Sequence, residues 1–395
     1  MISVQAAKDL ILSQSLKLET QILPIWKAVG NILAEDVLAD RDSPPFNRVT
    51  MDGIALQASK LKTQKSFAIA GVQAAGKSQL TLEKTDQCLE VMTGAVLPKN
   101  TDCVIPYEWL DIENQTATLK VDEQVDANQN VHLKGSDARK GDILISRGKK
   151  ITPGSVGVMA AVGLPNIKVI VPPKVVVCAT GDELIPIEDT PLPHQIRNSN
   201  SPMLVAALRA LGMDAESKYI PDDKASMKKE LAQLLGQYEV LMFSGAVSKG
   251  KFDFLPEVLN ELGMEKMIHG VAQKPGKPFL FGKLENSLVF GFPGNPSSTL
   301  VCFHTYFKPL LFQALGMKTT LATAKLTTEI PFKKPLTLHQ LVTLSLVEGE
   351  LLATPVQHSG SGDLIHLSIA DGFLSLPEDS EKHKKDEAYP LEYFY

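Results

Sequence analysis

The strongest constraint on this chain is an alternation that begins near Lys174, where short apolar runs are followed, one after another, by segments with helical spacing. The runs are Val175–Ala179, Ala215–Ile220, Val240–Phe243, Phe279–Gly282 and Leu288–Phe292. Helices are expected at Pro202–Leu211, Lys224–Leu235 and Leu255–Leu262, with a last one starting near Pro296. A strand that is apolar on both faces must be covered on both faces, and a helix between two such strands is the crossover that parallel pairing requires. The expectation is a central doubly wound, three-layer α/β unit with its ligand crevice outside the carboxyl ends of the strands.

At 395 residues the chain exceeds one ordinary core, so further units are expected. Apolar spacing over Val4–Leu12 and again around Leu23–Leu38 predicts two amphipathic helices, which Pro44-Pro45 brings to an end. From about Phe67 to Ile145 the pattern becomes short and β-like, at Ser66–Ala70, Gln87–Met92, Cys103–Tyr107 and Ala117–Val121. A helix returns over Pro153–Gly163, with Pro153 suited to its first turn and Gly163 to its end. Helix, then strands, then helix reads as a β unit inserted into a helical one. Beyond Met317, Leu341–Val347, Leu351–Pro355 and Gly372–Leu376 form a last set of short strands. The expected division is a helical, elongated part at 1–43 with 142–172, an inserted β domain at 44–141, the central α/β domain at 173–317, and a small β domain at 318–395.

Composition removes several function classes. A net charge of −5 gives no global basic field, which argues against nucleic acid as a partner. Four cysteines, Cys88, Cys103, Cys178 and Cys302, stand far apart, without zinc-site spacing or a compact disulfide framework, so reduced thiols in a cytoplasmic setting are expected. The N-terminus lacks the pattern of a secretory signal, and the most apolar stretch, Ile151–Ala179, is interrupted by glycines, prolines and Lys168 and does not read as a membrane span.

Chemistry is expected in the loops that follow the central strands. Thr180-Gly181-Asp182-Glu183 places two carboxylates at a strand end, although a turn with a helix cap explains the same letters. Ser244-Gly245-Ala246-Val247-Ser248-Lys249-Gly250-Lys251-Phe252-Asp253 permits close backbone approach to phosphate but is not the P-loop pattern, which disfavours a P-loop NTPase. Gln273-Lys274-Pro275-Gly276-Lys277-Pro278 holds two ammonium groups on a stiff turn, suited to a tetrahedral oxyanion; a basic surface turn is the plain alternative. In Phe292-Pro293-Gly294-Asn295-Pro296-Ser297-Ser298, Asn295 is a candidate cap, and free amides beside the two serines make an anion-binding helix start, although a structural cap accounts for Asn-Pro equally well. Acidic residues recur at Asp182, Glu183, Asp222, Asp223 and Asp253. Beside phosphate-binding amines they make sense around a hard divalent cation such as Mg²⁺, with Asp223 better read as a helix N-terminal residue.

Those loops in this order resemble the molybdopterin molybdenumtransferase family, the MoeA proteins and the matching domain of gephyrin. The likeness extends to Pro45-Phe46-Asn47 with Thr50-Met51-Asp52-Gly53, Met92-Thr93-Gly94-Ala95, Gly135-Ser136-Asp137 and Asn198-Ser199-Asn200. It implies a subunit with an elongated helical part, an inserted β part, a central α/β part and a C-terminal β-barrel, working as a homodimer whose site lies between the central part of one subunit and the inserted part of the other. The implied substrates are molybdopterin-AMP and molybdate, with release of AMP. The implied partners are a molybdopterin adenylyltransferase and the molybdoenzymes that receive the cofactor.

Carried over residue by residue, the resemblance implies catalytic roles for Asp52, Asp137, Glu183, Asp222 and Asp253, with Glu183, Asp222 and Asp253 at Mg²⁺. Substrate contacts are implied for Thr93, Ser244, Gly245, Lys274, Lys277, Pro293, Pro296, Ser298 and, in Gly360-Ser361-Gly362-Asp363, Ser361. This chain has Ile54 where many relatives have an aromatic residue, Ala246 where they have a second glycine, and no arginine after Arg209, where the family commonly places one near Leu336–Leu341. His339 is the candidate substitute for that arginine, although an imidazole does not copy a guanidinium fork. Two other functions stay open at this point: the preceding adenylylation of molybdopterin, and a scaffold that binds the cofactor without turnover.

Overall fold

The computed structural model describes residues 1–245, 254–317, 322–357 and 360–394. Its central sheet has six strands in the spatial order Ala215–Tyr219, Val175–Ala179, Val240–Ser244, Ser287–Phe292, Leu280–Leu284 and Glu265–His269. The first four are parallel, as expected. The last two run antiparallel, so the sheet is mixed. The reason is local: only Glu285 and Asn286 separate Leu284 from Ser287, and Glu285 adopts φ 54°, a hairpin turn too short for a crossover. Glu265–His269 is a strand that the sequence pattern did not announce, because two charged residues open it and only Ile268 is buried.

Both faces of this sheet are covered, and side-chain alternation along one strand shows it. Val175 and Val177 face a core that includes Leu204, Leu208, Phe303, Tyr306 and Phe307, whereas Val176 and Cys178 face one that includes Met227, Leu231, Val258 and Leu259. The first core belongs to the helices Asn200–Ala210 and Pro296–Cys302 with its continuation, and the second to Lys224–Leu234 and Leu255–Glu261. The last helix widens into a π turn over Phe303–Phe307 before Lys308–Ala314. Pro309 has no N–H to return to the preceding turn, which is a sufficient cause.

The N-terminal part departs from expectation. Val4–Leu12 is a helix, capped by Ser3, and it buries Val4, Ala7 and Ile11 against the central unit. Leu23–Leu38 is not a second helix. Thr20–Pro24 is a strand, Ile25–Lys27 a 3-10 turn, and Ile32–Leu33 and Val37–Leu38 are short strands. Pro24 disfavours a helical continuation, Gly30 takes φ 88°, and Asn166–Ile170 pairs with both Thr20–Pro24 and Ile32–Leu33. Pairing with a partner some 140 positions away overrides the local helical spacing. The helix Pro153–Ala161, with a Thr152–Ser155 capping box, closes over this small sheet through Met159, Ile25, Leu33 and Val37.

Between these segments the chain forms a separate six-stranded sheet ordered Cys103–Pro106, Gly53–Leu56, Gln87–Val91, Ser66–Gln73, Thr116–Leu119 and Leu110–Glu113. Val37–Leu38 pairs with Ile143–Ile145, and Ser43 bridges Ala138, so the chain leaves and re-enters side by side. At the other end, Ala322–Leu326, Thr337–Val347, Glu350–Pro355, Gly372–Leu376 and Ala388–Tyr393 pair in a closed ring, a five-stranded barrel. Gln273–Lys274 joins it by pairing with Thr337 and Leu338. Among the described residues no helix is long and apolar enough to cross a membrane.

Candidate functional site

Parallel strands deliver their carboxyl ends to one edge, and there the structure gathers most of the expected loops. Asn200, at the start of its helix, donates through Nδ2 to Ser244 Oγ at 2.8 Å and to Gly294 O at 2.6 Å, tying two neighbouring strand ends together. A Cβ on Gly245 would stand 3.2 Å from Thr180 O, and one on Gly294 would stand 3.7 Å from the Gly245 Cα. Ser244 and Thr180 are buried.

On the acidic side Thr180 Oγ1 is 3.5 Å from Asp222 Oδ1, and Tyr219 donates its hydroxyl to Gly181 O at 3.4 Å. Partial burial first, then the charges of Asp182, Asp222 and Glu183, push the Tyr219 hydroxyl above its ordinary range. These three carboxylates therefore share one neighbourhood. Asp223 caps Lys224–Leu234 by accepting from Ser226 N at 2.9 Å, the structural role expected for it. Asp253, expected beside them, lies outside the described residues, as do Lys249 and Lys251.

The lysine loop is held from below by a buried amide. Gln273 donates through Nε2 to Gly276 O at 3.0 Å and to Cys302 Sγ at 3.3 Å, and its Oε1 accepts from Tyr306 Oη. Gly276 takes φ 91°, and a Cβ there would lie 2.6 Å from Cys302 Sγ, 2.7 Å from Gln273 Nε2 and 3.7 Å from Ser298 O. Lys274 and Lys277 thus flank a point pinned against the helix that carries Ser298, and both are exposed. Lys274 Nζ lies 5.9 Å from the centre of the Phe332 ring.

The turn carrying Ser361 also docks here. Asn295 Nδ2 donates to Ser361 Oγ at 2.8 Å, Ser297 N to Ser361 O at 3.3 Å, and Ser297 Oγ to Asp363 O at 3.3 Å. Asn295 occupies the cap position, but its side chain serves the barrel turn rather than its own helix. One of the amides expected to be free at this helix start is therefore engaged by Ser361. His339 does not take the place of the missing arginine. It is buried on the outer face of its strand, on the side of Leu341 and Phe373 that packs against Val301 of the helix Pro296–Cys302, edge-on to Phe373 and 3.0 Å from Ser375 Oγ through Nδ1, and burial, with a contribution from Lys8, pushes its pKa down to about 3.

Asp52 and Thr93 meet in the inserted unit, which also carries Asp137. Asp52 Oδ1 accepts from Thr93 N at 2.6 Å and Thr93 Oγ1 at 2.7 Å, which holds its carboxyl below the ordinary range. Gly53 behind it is obligatory, since a Cβ would stand 1.9 Å from Ile105 O. Asp137 Oδ1 lies 2.7 Å from His132 Nε2. Among the described residues no hydrogen bond or ion pair joins this group to the central strand ends. Tyr219, Arg48 and His132 were not singled out from the sequence. Tyr219 ends the observed strand, one residue inside the predicted Ala215–Ile220, and is within reach of the strand-end rule, whereas Arg48 meets His132 only through a strand pairing that local pattern does not reveal.

The chain matches the MoeA N-terminal region (domain I and II) over residues 2–163, a probable molybdopterin binding domain over 176–313, and the MoeA C-terminal region (domain IV) over 323–387. It is 38% identical over 396 residues to a molybdopterin molybdenumtransferase of Synechocystis sp., covering 99% of each chain. A molybdopterin molybdenumtransferase of Haemophilus influenzae is 33% identical over 320 residues, 80% of this chain and 79% of the relative. A solved molybdopterin biosynthesis MoeA protein from Pyrococcus horikosii shares the fold at a TM-score of 0.84 and 30% identity, over 100% of this chain and 99% of that one. Similarity of this degree along almost the whole length places the chain in the MoeA family of molybdopterin molybdenumtransferases.

Proposed function

We propose that this protein inserts molybdate into adenylylated molybdopterin, releasing AMP, and that it works as a homodimer. The observation that carries the reading is the meeting at one sheet edge of a carboxylate group, Asp182, Glu183 and Asp222, with a lysine loop pinned against Ser298 and a docked Ser361 turn. Cationic side chains with a serine suit a tetrahedral oxyanion, and the carboxylates suit a cation that offsets phosphate charge.

Among the described residues no three ligating groups converge tightly enough to hold a metal ion by themselves. The carboxylates Glu183 and Asp222 suit Mg²⁺, which commonly uses one or two carboxylates and completes its shell with phosphate oxygens and water. Glu183 and Asp222, with Asp253 outside the described residues, are the residues proposed to hold it. When bound, it would neutralise phosphate charge as the bond to AMP breaks. Ser244 and Gly245, with Pro293 and Pro296 on the neighbouring loop, shape the floor of the site, and Lys274, Lys277, Ser298 and Ser361 hold molybdate.

Asp52, Thr93 and Asp137 lie on the inserted unit, and in the proposed homodimer a second subunit brings them to that edge. Dimerisation accordingly belongs to the proposal, as do the domain division 1–43 with 142–172, 44–141, 173–317 and 318–395, and an exchange of substrate and product with a molybdopterin adenylyltransferase and molybdoenzymes. The test is release of AMP from molybdopterin-AMP in the presence of Mg²⁺ and molybdate. Release should depend on molybdate and fall sharply in Asp253→Asn and Lys277→Gln. Consumption of ATP with molybdopterin, without an adenylylating partner, would assign the chain to the preceding step instead, and tight binding without AMP release would leave a scaffold.

A further inference from the structure

In the inserted unit a two-stranded ladder sets Arg48 directly opposite His132. Arg48 Nη2 lies 3.0 Å from His132 Nδ1, and His132 Nε2 lies 2.7 Å from Asp137 Oδ1. A guanidinium has donors and no acceptor. It must therefore donate to Nδ1, which leaves that nitrogen without a proton. The single ring proton is then on Nε2, and it is donated to Asp137.

The carboxylate is fixed from other directions as well. Ser136 Oγ donates to the same Oδ1 at 3.4 Å, and Asp137 N donates to Ser43 O at 2.9 Å. Oδ1 is thus occupied and the backbone anchored, while among the described residues Oδ2 carries no hydrogen bond. A half-exposed carboxylate with one oxygen engaged and one presented is oriented for an incoming donor.

We propose that Arg48 and His132 are positioning residues, which hold Asp137 in one rotamer and aim Oδ2 at an N–H or hydroxyl donor of the bound substrate. The proposal rests on the reading above that Asp137 belongs to the substrate site. The relay itself follows from the donor inventory alone and is testable without turnover.

Long-range ¹H–¹⁵N spectra of the full chain, labelled at histidine, report ring tautomers directly, with the His132 signals assigned by their loss in His132→Gln. The wild-type protein should show the Nε2–H ring, and Arg48→Met should convert it to a mixture. In turnover assays His132→Phe should lose about tenfold or more in kcat/KM, whereas His132→Gln, whose terminal amide reaches Asp137 as the imidazole does, should recover most of it. A wild-type Nδ1–H ring or imidazolium, or an unchanged kcat/KM in His132→Phe, overturns the relay. The expected tautomer in a wild-type protein that releases no AMP removes Asp137's substrate role, and with it the aim assigned to the relay.

Discussion

The backbone N–H and the hydroxyl of Thr93 converge on one oxygen of Asp52, at 2.6 and 2.7 Å. Both donors favour the ionised carboxyl, the backbone one foremost, and together they outweigh the opposing effect of partial desolvation. Thr93→Val keeps the first donor and deletes the second. Because Asp52's folded pKa is depressed, its contribution to stability is present above the ordinary carboxyl value and is lost as pH falls through the lowered one. The variant should therefore protonate Asp52 at higher pH than the wild type does. Carbon-detected NMR titration of the aspartate carboxyls would show it, and coincident titrations in the two proteins would refute this account of Asp52.

Gly276 and Gly30 make a controlled pair, since both take positive φ, 91° and 88°. Around Gly30 nothing lies within 4 Å of an added Cβ, so Gly30→Ala should cost only backbone strain, about 1–2 kcal/mol. Gly276→Ala adds a collision with Cys302 Sγ and Gln273 Nε2 in a packed interior, and should cost about 3 kcal/mol or more. It should also weaken binding of tungstate or molybdate, because Lys274 and Lys277 ride on that turn. Thermal unfolding and oxyanion titration together decide it; equal costs at the two glycines would mean that the turn is not pinned as described.

Tyr306 and Gln273 share a buried hydrogen bond beneath the same turn. Tyr306→Phe strands Gln273 Oε1 without its donor and should destabilise the protein by about 1–3 kcal/mol. Gln273→Met strands the tyrosine hydroxyl and leaves the Gly276 carbonyl with only the Cys302 thiol as donor, at a similar or greater cost. The double variant removes both ends of the shared bond, so its loss should fall short of the sum by roughly 1 kcal/mol. Denaturant unfolding of all four proteins measures the coupling. Strict additivity would show that the pair contributes nothing jointly.

How much of this was legible beforehand depended on where the deciding partner lies. Val175–Ala179 was read with its boundaries because a five-residue run buried on both faces announces a strand by itself. Leu23–Leu38 has helical spacing yet forms strands because its partner, Asn166–Ile170, is remote in sequence. The Lys274–Lys277 loop could be picked out by its residue types, yet the buried amide of Gln273 that holds it acquires meaning only once Cys302 and Tyr306 are seen beneath it. His339 shows the converse. As a letter near an expected arginine it reads as an anion ligand, and the packing of the barrel's outer face against the helix that carries Val301 makes it a buried residue.

That burial gives His339 a measurable consequence. Burial first, then the positive charge of Lys8, pushes its pKa down from 6.5 to about 3. Between those values the unfolded chain binds a proton that the folded protein refuses, so stability must fall as pH falls through this window. A histidine kept neutral throughout contributes a slope of roughly 1.4 kcal/mol per pH unit. His304, also lowered mainly by burial, acts in the same direction. His339→Gln retains a side-chain partner for Ser375 and removes the titration. Its unfolding free energy, followed from pH 7 down to about 5, should therefore decline less steeply than that of the wild type, by up to the slope of one proton. Parallel curves would place His339 in contact with solvent or with a compensating acid, and would reopen the possibility that it faces the oxyanion site.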